Sequence, residues 1–230
     1  MNVPNSQGVI SLHDDCLAQP GWPASEAHPA AGVVWQWIVV NHRHNRLLWA
    51  EEDLARRTRV SDNEIAANKR RIDGFNQARN DATERVDECL LIALGLVDEA
   101  SASTDAPVSR APAGARLSSE TAGSMIDRLS ILALKIQAMR QQTGRDDVDD
   151  AHRDGCRVKL TQLLQQREDL GRCLDRLLTE SAAGRAYFKV YRQFKMYNDA
   201  RFNPALVGES RGRSVGVREA LPAAGAPGVE

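Results

Sequence analysis

Residues 35–57 constrain the fold most, because this stretch contains no glycine or proline and repeats with the period of an α-helix. At about 3.6 residues per turn, its inward stripe spans roughly 100° of arc. The stripe comprises Trp35, Ile38, His42, Asn45, Trp49, Glu52, Asp53 and Arg56. One helical face therefore combines apolar anchors with ionisable groups. This pattern indicates either a pocket or charges that pair with neighbouring helices.

A second long helix is predicted after Ser61, because Ser61 and Glu64 form a capping-box pattern. Its inward face is apolar at both ends and polar in the middle. That face comprises Ile65, Ile72, Asn76, Arg79, Asn80, Thr83, Val86, Asp87, Leu90 and Leu94. A connection of roughly three residues forces the two helices to pack antiparallel. Residues 76–87 are therefore expected beside residues 42–56.

The remaining segments are also predicted to be helical, and no alternating strand pattern is found. Helices are expected at one short segment within residues 1–28, at 28–57, from Ser61 onward, at 118–142, at 150–181 and from Gly184 to Asn203. The helix at 118–142 is apolar on two sides, which is typical of the centre of a bundle. The predicted fold class is all-α, an antiparallel bundle of four to five long helices.

Composition favours a single domain. At 230 residues and 42% hydrophobic, the chain can bury one good core. We expect a helical-bundle domain at residues 1–208 with a flexible crossover at 98–116, which is rich in alanine, serine and proline. Residues 209–230 are rich in glycine, alanine, arginine and proline, and are expected to form a disordered tail.

Charge and cysteine usage exclude several classes of protein. Lys and Arg number 30 against 31 Asp and Glu, so the broad positive field used for non-specific nucleic-acid binding is absent. The four cysteines are widely spaced without a CxxC motif, which predicts free thiols in a reducing compartment. No apolar run reaches the roughly 18 residues of a membrane span. We therefore expect a cytoplasmic protein with no nucleic-acid partner and no membrane span.

Three motifs resemble those of a known family. They are HxxNxxLWxxEDxxR at residues 42–56, SETxGSxxDRLSIL at 119–132 and YxxFKMYND at 191–199. Together they resemble a bacterial family of helical proteins of this length that is described only as a domain of unknown function. The resemblance covers about residues 10–206. It implies a genetic setting among surface-polysaccharide and sugar-transfer enzymes, without a settled activity. Ala122 stands where the family often has proline, a change that the first turn of a helix tolerates.

Metal and cofactor sites are not expected. The chain has no Glu-x-x-His, which di-iron bundles carry on two helices. His42 and His44 point in different directions on one helix, so they cannot share an ion. No Ser-His-Asp order, P-loop, GxGxxG or HExxH is present. The sequence therefore predicts no metal and no cofactor, and gives no support to nucleophilic or nucleotide-hydrolysing chemistry.

The candidate ligand-binding residues are polar groups on inward helix faces and in the three motifs. They are His42, Asn45, Glu52, Asp53, Arg56, Arg79, Asn80, Asp87, Glu120, Asp127, Arg128, Lys195 and Asn198. All except Glu120, Lys195 and Asn198 are expected to meet in one site between helices. Each also has a structural interpretation: Glu52 and Arg56 pair at i and i+4, whereas Glu120, Lys195 and Asn198 satisfy helix ends.

Two classes of function remain open. Arginine and asparagine donors beside carboxylates suit a sugar, sugar phosphate or nucleotide-sugar, bound or acted on between helices. Alternatively, a buried polar layer fixes helix register in an interaction or scaffold protein, whose partner is a second copy or another protein. The two differ in whether the polar stripes converge on an open cavity or close into complete hydrogen-bond pairs.

Overall fold

The computed structural model describes residues 3–24, 32–193, 196 and 199–209. Its helices are α1 (Ser6–Ala18), α2 (Val33–Ala55), α3 (Asp62–Ala93), α4 (Glu99–Ala102), α5 (Ala122–Thr143) and α6 (Asp150–Ala182). Strands β1 (Arg116–Leu117) and β2 (Ala186–Tyr187) form one short parallel pair. The predicted all-α bundle is confirmed. None of the described helices combines the length and apolarity that a membrane crossing requires.

Helices α2 and α3 form an antiparallel pair. The capping box at the start of α3 is present, with Ser61 and Glu64 satisfying each other's backbone N–H groups. Asn41, early in α2, donates to Thr83, late in α3. Glu51, late in α2, pairs with Arg71, early in α3. The antiparallel packing is thus as predicted, although residues 56–61 make a longer connection than expected. The predicted start of α2 near residue 28 lies outside the described residues.

Helix α5 lies at the centre and packs against α1, α2, α3 and α6. Its buried side chains include Ile126 and Leu129, which join one core with Ile38, Leu90 and Leu174. Helix α1 covers α6 through two polar contacts. Ser6 Oγ donates to Asp175 over 2.6 Å, and Arg167 donates to both carboxylate oxygens of Asp14 over 2.9 and 3.0 Å. The positive charge of Arg167 on α6 is therefore neutralised by the carboxylate of Asp14 on α1.

The chain after Gly184 is extended, so the predicted last helix is wrong at residues 185–193. Gly184 has a φ of +69° at the end of α6. Ala186, Phe188 and Val190 are buried, whereas the alternate side chains, including Tyr191, are more exposed. This period of two is that of a strand. The sequence pattern predicted a helix here because the aromatic residues of this segment are also spaced as on one face of a helix.

The crossover between α3 and α5 contains short regular elements. Besides α4 and β1, Val97 and Ser109 form an isolated antiparallel bridge. Arg192 joins this region to α3, because its guanidinium donates to Glu84 over 2.9 Å and to Glu88 over 2.5 Å, and also to two backbone carbonyls of residues 102 and 104. Flexibility of the crossover remains a prediction.

The described residues 193, 196 and 199–209 belong to a second unit. Within it, residues 204–209 are helical. Asn203 Oδ1 accepts from the Ala205 N–H over 3.0 Å. The expectation that Asn203 and Pro204 end the helical region is wrong, because asparagine at the N-cap and proline in the first turn favour a helix start. Lys195, Asn198 and the predicted tail from residue 210 onward lie outside the described residues.

Candidate functional site

A buried polar layer joins α2, α3 and α5, and its members are Asn41, Asn45, Thr83, Asp127 and Ser130. Asp127 Oδ1 accepts from Asn41 Nδ2 over 2.8 Å and from Asn45 Nδ2 over 2.9 Å. Asn41 also donates to Thr83 Oγ1, and Asn45 to Ser130 Oγ. Both asparagines are almost fully buried. These contacts satisfy polar groups that would otherwise be costly to bury, and they connect α2, α3 and α5.

His42 extends the polar layer toward α1. Its Nδ1 lies 2.7 Å from Ser130 Oγ, and its Nε2 lies 3.2 Å from the His13 carbonyl oxygen. Because a carbonyl oxygen only accepts, Nε2 carries the proton and Nδ1 accepts from the serine hydroxyl. Burial lowers the pKa of His42 to about 3. The ring of Trp22 stacks on it at a centroid distance of 4.8 Å, and the ring of His13 lies tilted beside it at 4.4 Å. His42 is thus a neutral, fully enclosed residue.

An open cleft of about 270 Å³, here the first cleft, lies beside the polar layer between α2, α3 and α5. It is lined by Asn45, Leu48, Trp49, Glu52, Asp53, Arg56, Arg79, Ile131 and Leu134. Five of the candidate residues meet here, namely Asn45, Glu52, Asp53, Arg56 and Arg79. The lining also includes Ile131 and Leu134, which form the second apolar side of α5 on the side of Asp127.

Arg79 connects the polar layer with the first cleft. Its Nη2 donates to Asn80 Oδ1 over 2.9 Å, and its Nε lies 3.9 Å from Asp127 Oδ1. That Nε is buried and has no hydrogen-bond partner among the described residues. By contrast, Arg56 donates to Glu52 over 2.8 Å, with both side chains substantially exposed. This is the i, i+4 pair of the structural interpretation. The first cleft therefore offers one guanidinium with unused hydrogen-bonding capacity.

Asp87 does not line the first cleft. It lies against the first turn of α5, where its Oδ1 accepts from the Gly123 N–H over 2.6 Å. Burial raises the pKa of Asp87 to about 7, although hydrogen bonds from Thr121 and Gly123 act in the opposite direction. The carboxyl group thus caps α5 from α3. Its position is one helical turn from Thr83 in the polar layer.

Glu120 and Arg128 pair with each other on a different surface. They line a second cleft of about 550 Å³ between α5 and α6. The expectation that Arg128 meets the other candidates is therefore wrong. Consecutive helical residues point about 100° apart, so Asp127 can face α2 and α3 only if Arg128 turns toward α6.

Sequence reasoning missed three members of the polar layer: Asn41, Thr83 as a hydrogen-bonding partner, and Ser130. Two of them carried a signal. Asn41 precedes Asn45 by four residues, and Ser130 follows Asp127 by three, so each shares a helical face with a candidate residue. His13 carried no such signal, because its contact with His42 depends on the packing of α1.

The described residues include no group of three histidine, cysteine, aspartate or glutamate side chains arranged to hold a metal ion. Cys16, Cys89, Cys156 and Cys173 are all free thiols. Burial raises the pKa of the Cys16 thiol to about 11, which disfavours the reactive thiolate. The independence from metal remains a prediction.

Comparisons with curated proteins and with solved structures found no match. A family match covers residues 35–190, a range that contains the polar layer and the whole lining of the first cleft. The predicted resemblance to a domain of unknown function is thereby confirmed over this range, which contains the first two motifs, whereas the third motif at residues 191–199 lies outside it. The chain belongs to the family described as "Protein of unknown function (DUF4254)".

Proposed function

We propose that this protein binds a phosphorylated sugar in the first cleft. The observation that supports this proposal is the guanidinium of Arg79, whose Nε is buried at the cleft without a hydrogen-bond partner in the described part of the chain. The nearest carboxylate oxygen, Asp127 Oδ1, lies 3.9 Å from this Nε, beyond hydrogen-bond distance, so the guanidinium keeps donor capacity that an anionic ligand in the cleft would use once the side chain turns toward it. A phosphate matches a guanidinium particularly well, because two parallel N–H groups can contact two of its oxygens.

Arg56 supplies a second cation at the rim of the first cleft. It is paired with Glu52, but both side chains are exposed, and exposed ion pairs contribute only about 0 to 1 kcal/mol. The pair can therefore open at little cost. Arg56 would then turn to the phosphate, and the carboxylate of Glu52 would become free to accept a hydroxyl.

The other lining groups suit the sugar. Asp53 is an exposed carboxylate that lines the first cleft beside Glu52, and such groups accept hydrogen bonds from sugar hydroxyls. Trp49 offers an aromatic face against which the C–H groups of a pyranose can pack. A volume of about 270 Å³ is at the lower end for small-molecule pockets, which favours a monosaccharide phosphate over a larger ligand.

A second candidate function is an interaction protein whose polar layer fixes helix register. The observation that favours it is the closure of the polar layer, in which Asp127 Oδ1 accepts from two buried asparagines. Such layers specify one arrangement of helices in some proteins. This function requires no ligand in the first cleft, so the two candidates make opposite predictions for Arg79.

The test is the melting of wild type and Arg79→Ala with and without glucose 1-phosphate, glucose 6-phosphate and mannose 6-phosphate. A ligand at 100 times its dissociation constant stabilises the wild type by about 2.7 kcal/mol. We expect Arg79→Ala to lose this response with only a modest loss of stability. The matched control is Arg70→Ala, which removes the same charge from an exposed position on α3 and should keep the response.

A structural role for Arg79 has a different signature. If Arg79 serves mainly to neutralise Asp127, its removal should cost roughly 3 to 5 kcal/mol without ligand. That result, together with a wild type that responds to none of the sugar phosphates, would favour the interaction protein.

A further inference from the structure

A third cleft, of about 290 Å³, lies between α2, α5 and α6. The side chain of Trp49 lines both this third cleft and the first cleft. The two clefts are therefore adjacent at one indole ring. A ligand that extends beyond the first cleft on the side of Trp49 would therefore meet the third cleft.

The floor of the third cleft is mainly apolar. Met139 of α5 and Leu163 of α6 are both partly buried, and Trp49 adds an aromatic surface. Flat heteroaromatic rings pack well on such surfaces, since stacking on an aromatic or thioether group tolerates any base.

The rim carries two cations, Lys135 on α5 and Lys159 on α6. Within the described residues, no carboxylate lies within ion-pair distance of either ammonium group. All five arginines of α6 differ in this respect, since residues 153, 157, 167, 172 and 176 have acidic partners. Two cations without partners, facing one cleft from two helices, favour an anionic group such as a phosphate.

Two amides complete the third cleft. Gln162 and Gln166 lie one turn apart on the exposed face of α6, and both line the cleft. Each amide offers donors and an acceptor, and neither has a hydrogen-bond partner in the part of the chain that is described. Amide side chains can pair with the edge of a nucleobase, whereas a hydrocarbon chain would leave them unsatisfied.

We infer that the third cleft binds the nucleoside end of a nucleoside diphosphate sugar, whose sugar occupies the first cleft. This inference rests on the proposed function for the sugar half. Lys135 and Lys159 contact the phosphate next to the nucleoside, while Arg79 keeps the phosphate next to the sugar. The base lies on the apolar floor, and Gln162 and Gln166 pair with its edge. The ligand class is thereby narrowed from a sugar phosphate to an activated sugar.

Calorimetric titration of the full chain tests the inference with glucose 1-phosphate, with UDP, ADP and GDP, and with UDP-glucose, ADP-glucose and GDP-glucose. We expect one nucleotide series to bind, and its glucose conjugate to bind at least about tenfold more tightly than either part alone. Lys159→Ala and Gln162→Ala should each weaken the nucleotide and its conjugate by about tenfold and leave glucose 1-phosphate unaffected.

Arg79→Ala provides the complementary variant. It should weaken glucose 1-phosphate and the conjugate most strongly, and the free nucleoside diphosphate less, because the contacts of the base and of the phosphate next to the nucleoside lie in the third cleft. Arg140→Ala is the control for charge, because Arg140 is exposed on α5, lines none of the three clefts and has no ion pair within the described residues. It should leave all affinities unchanged.

The outcomes separate the two proposals. Binding of glucose 1-phosphate that depends on Arg79, without binding of any nucleoside diphosphate, overturns the inference and keeps the proposed function. Binding of a nucleoside diphosphate that depends on Lys159, without any gain from the attached glucose, supports the nucleotide site and overturns the sugar half. A chain that binds none of the probes overturns both.

Discussion

The backbone N–H of Gly123 donates a 2.6 Å hydrogen bond to Asp87 Oδ1, so the first turn of α5 rests directly on α3. A Cβ at position 123 would lie 2.6 Å from the Thr83 carbonyl oxygen and 2.8 Å from Asp87 Cγ. Neither neighbour is the flexible end of a long side chain. Glycine is therefore required here for close approach of two helices, and Thr83 also belongs to the polar layer.

We predict that Gly123→Ala lowers the free energy of unfolding by about 1 to 3 kcal/mol, because the added methyl group forces α5 away from α3. Urea unfolding measures the change. Gly155→Ala in α6 is the matched control, since nothing lies within contact of its added Cβ. It should stabilise the protein by about 0.5 to 1 kcal/mol through helix propensity. Equal stability of Gly123→Ala and wild type would contradict the proposed close packing.

The second prediction concerns the pH dependence that Asp87 introduces. Its pKa is about 7 in the folded protein, against an ordinary value of 3.8. Between these values only the folded state holds the proton, so this contribution to stability is complete below pH 3.8 and is lost as the pH rises to about 7. Asp87→Asn keeps an acceptor for Gly123 but cannot ionise. Its stability should therefore fall less steeply from pH 5 to 7, by up to about 1.4 kcal/mol per pH unit.

Chemical unfolding of both proteins at several pH values would check this second prediction. Above about pH 8 the two curves should run parallel, because Asp87 is then ionised in both the folded and the unfolded wild type. A wild type and an Asp87→Asn variant with the same slope between pH 5 and 7 would refute the raised pKa.

The third prediction concerns His13, which is fully buried beside His42. Neither of its ring nitrogens has a hydrogen-bond partner in the described segments. Burial and the nearby His42 and Arg167 lower its pKa well below 6.5. As the pH falls below 6.5, His13 becomes protonated in the unfolded chain but stays neutral in the folded protein. The free energy of unfolding therefore decreases. His13→Leu should therefore reduce the acid sensitivity.

At pH 8 the same variant should be about as stable as the wild type, because leucine has a similar size and no nitrogen to leave unsatisfied. Thermal melting at pH 5 and pH 8 measures both effects. A large destabilisation of His13→Leu at pH 8 would indicate that the imidazole has a polar partner in solution.

The fourth prediction is that Arg192 stabilises the packing of the extended segment after β2 against α3. Its guanidinium pairs with Glu84 and with the buried Glu88, and its removal should cost about 2 to 4 kcal/mol. Arg192→Lys should recover only part of this, because an ammonium group cannot reproduce a fork that contacts two carboxylates and two carbonyls. Arg176→Ala is the control: Arg176 pairs with Glu180 while mostly exposed, and its loss should cost less than about 1 kcal/mol.

The sequence by itself determined the long helices and which residues share a face on each. Local signals carry this information: the capping box at Ser61 and the apolar period of α2, α3, α5 and α6. The same periodicity placed six of the nine residues that line the first cleft on inward stripes. Five of them are polar and were candidate residues, because polar residues on inward stripes cannot all be buried without partners.

Only the tertiary structure decided which polar stripes face one another. Asp127 and Arg128 are neighbours in the chain, yet one enters the polar layer and the other pairs with Glu120 between α5 and α6. Likewise, β2 exists because residue 186 finds its partner at residue 116, far away in the sequence. The physical reason is the same in both cases. Periodicity specifies directions within one helix, whereas the rotation of helices against each other and the pairing of strands depend on contacts between distant segments.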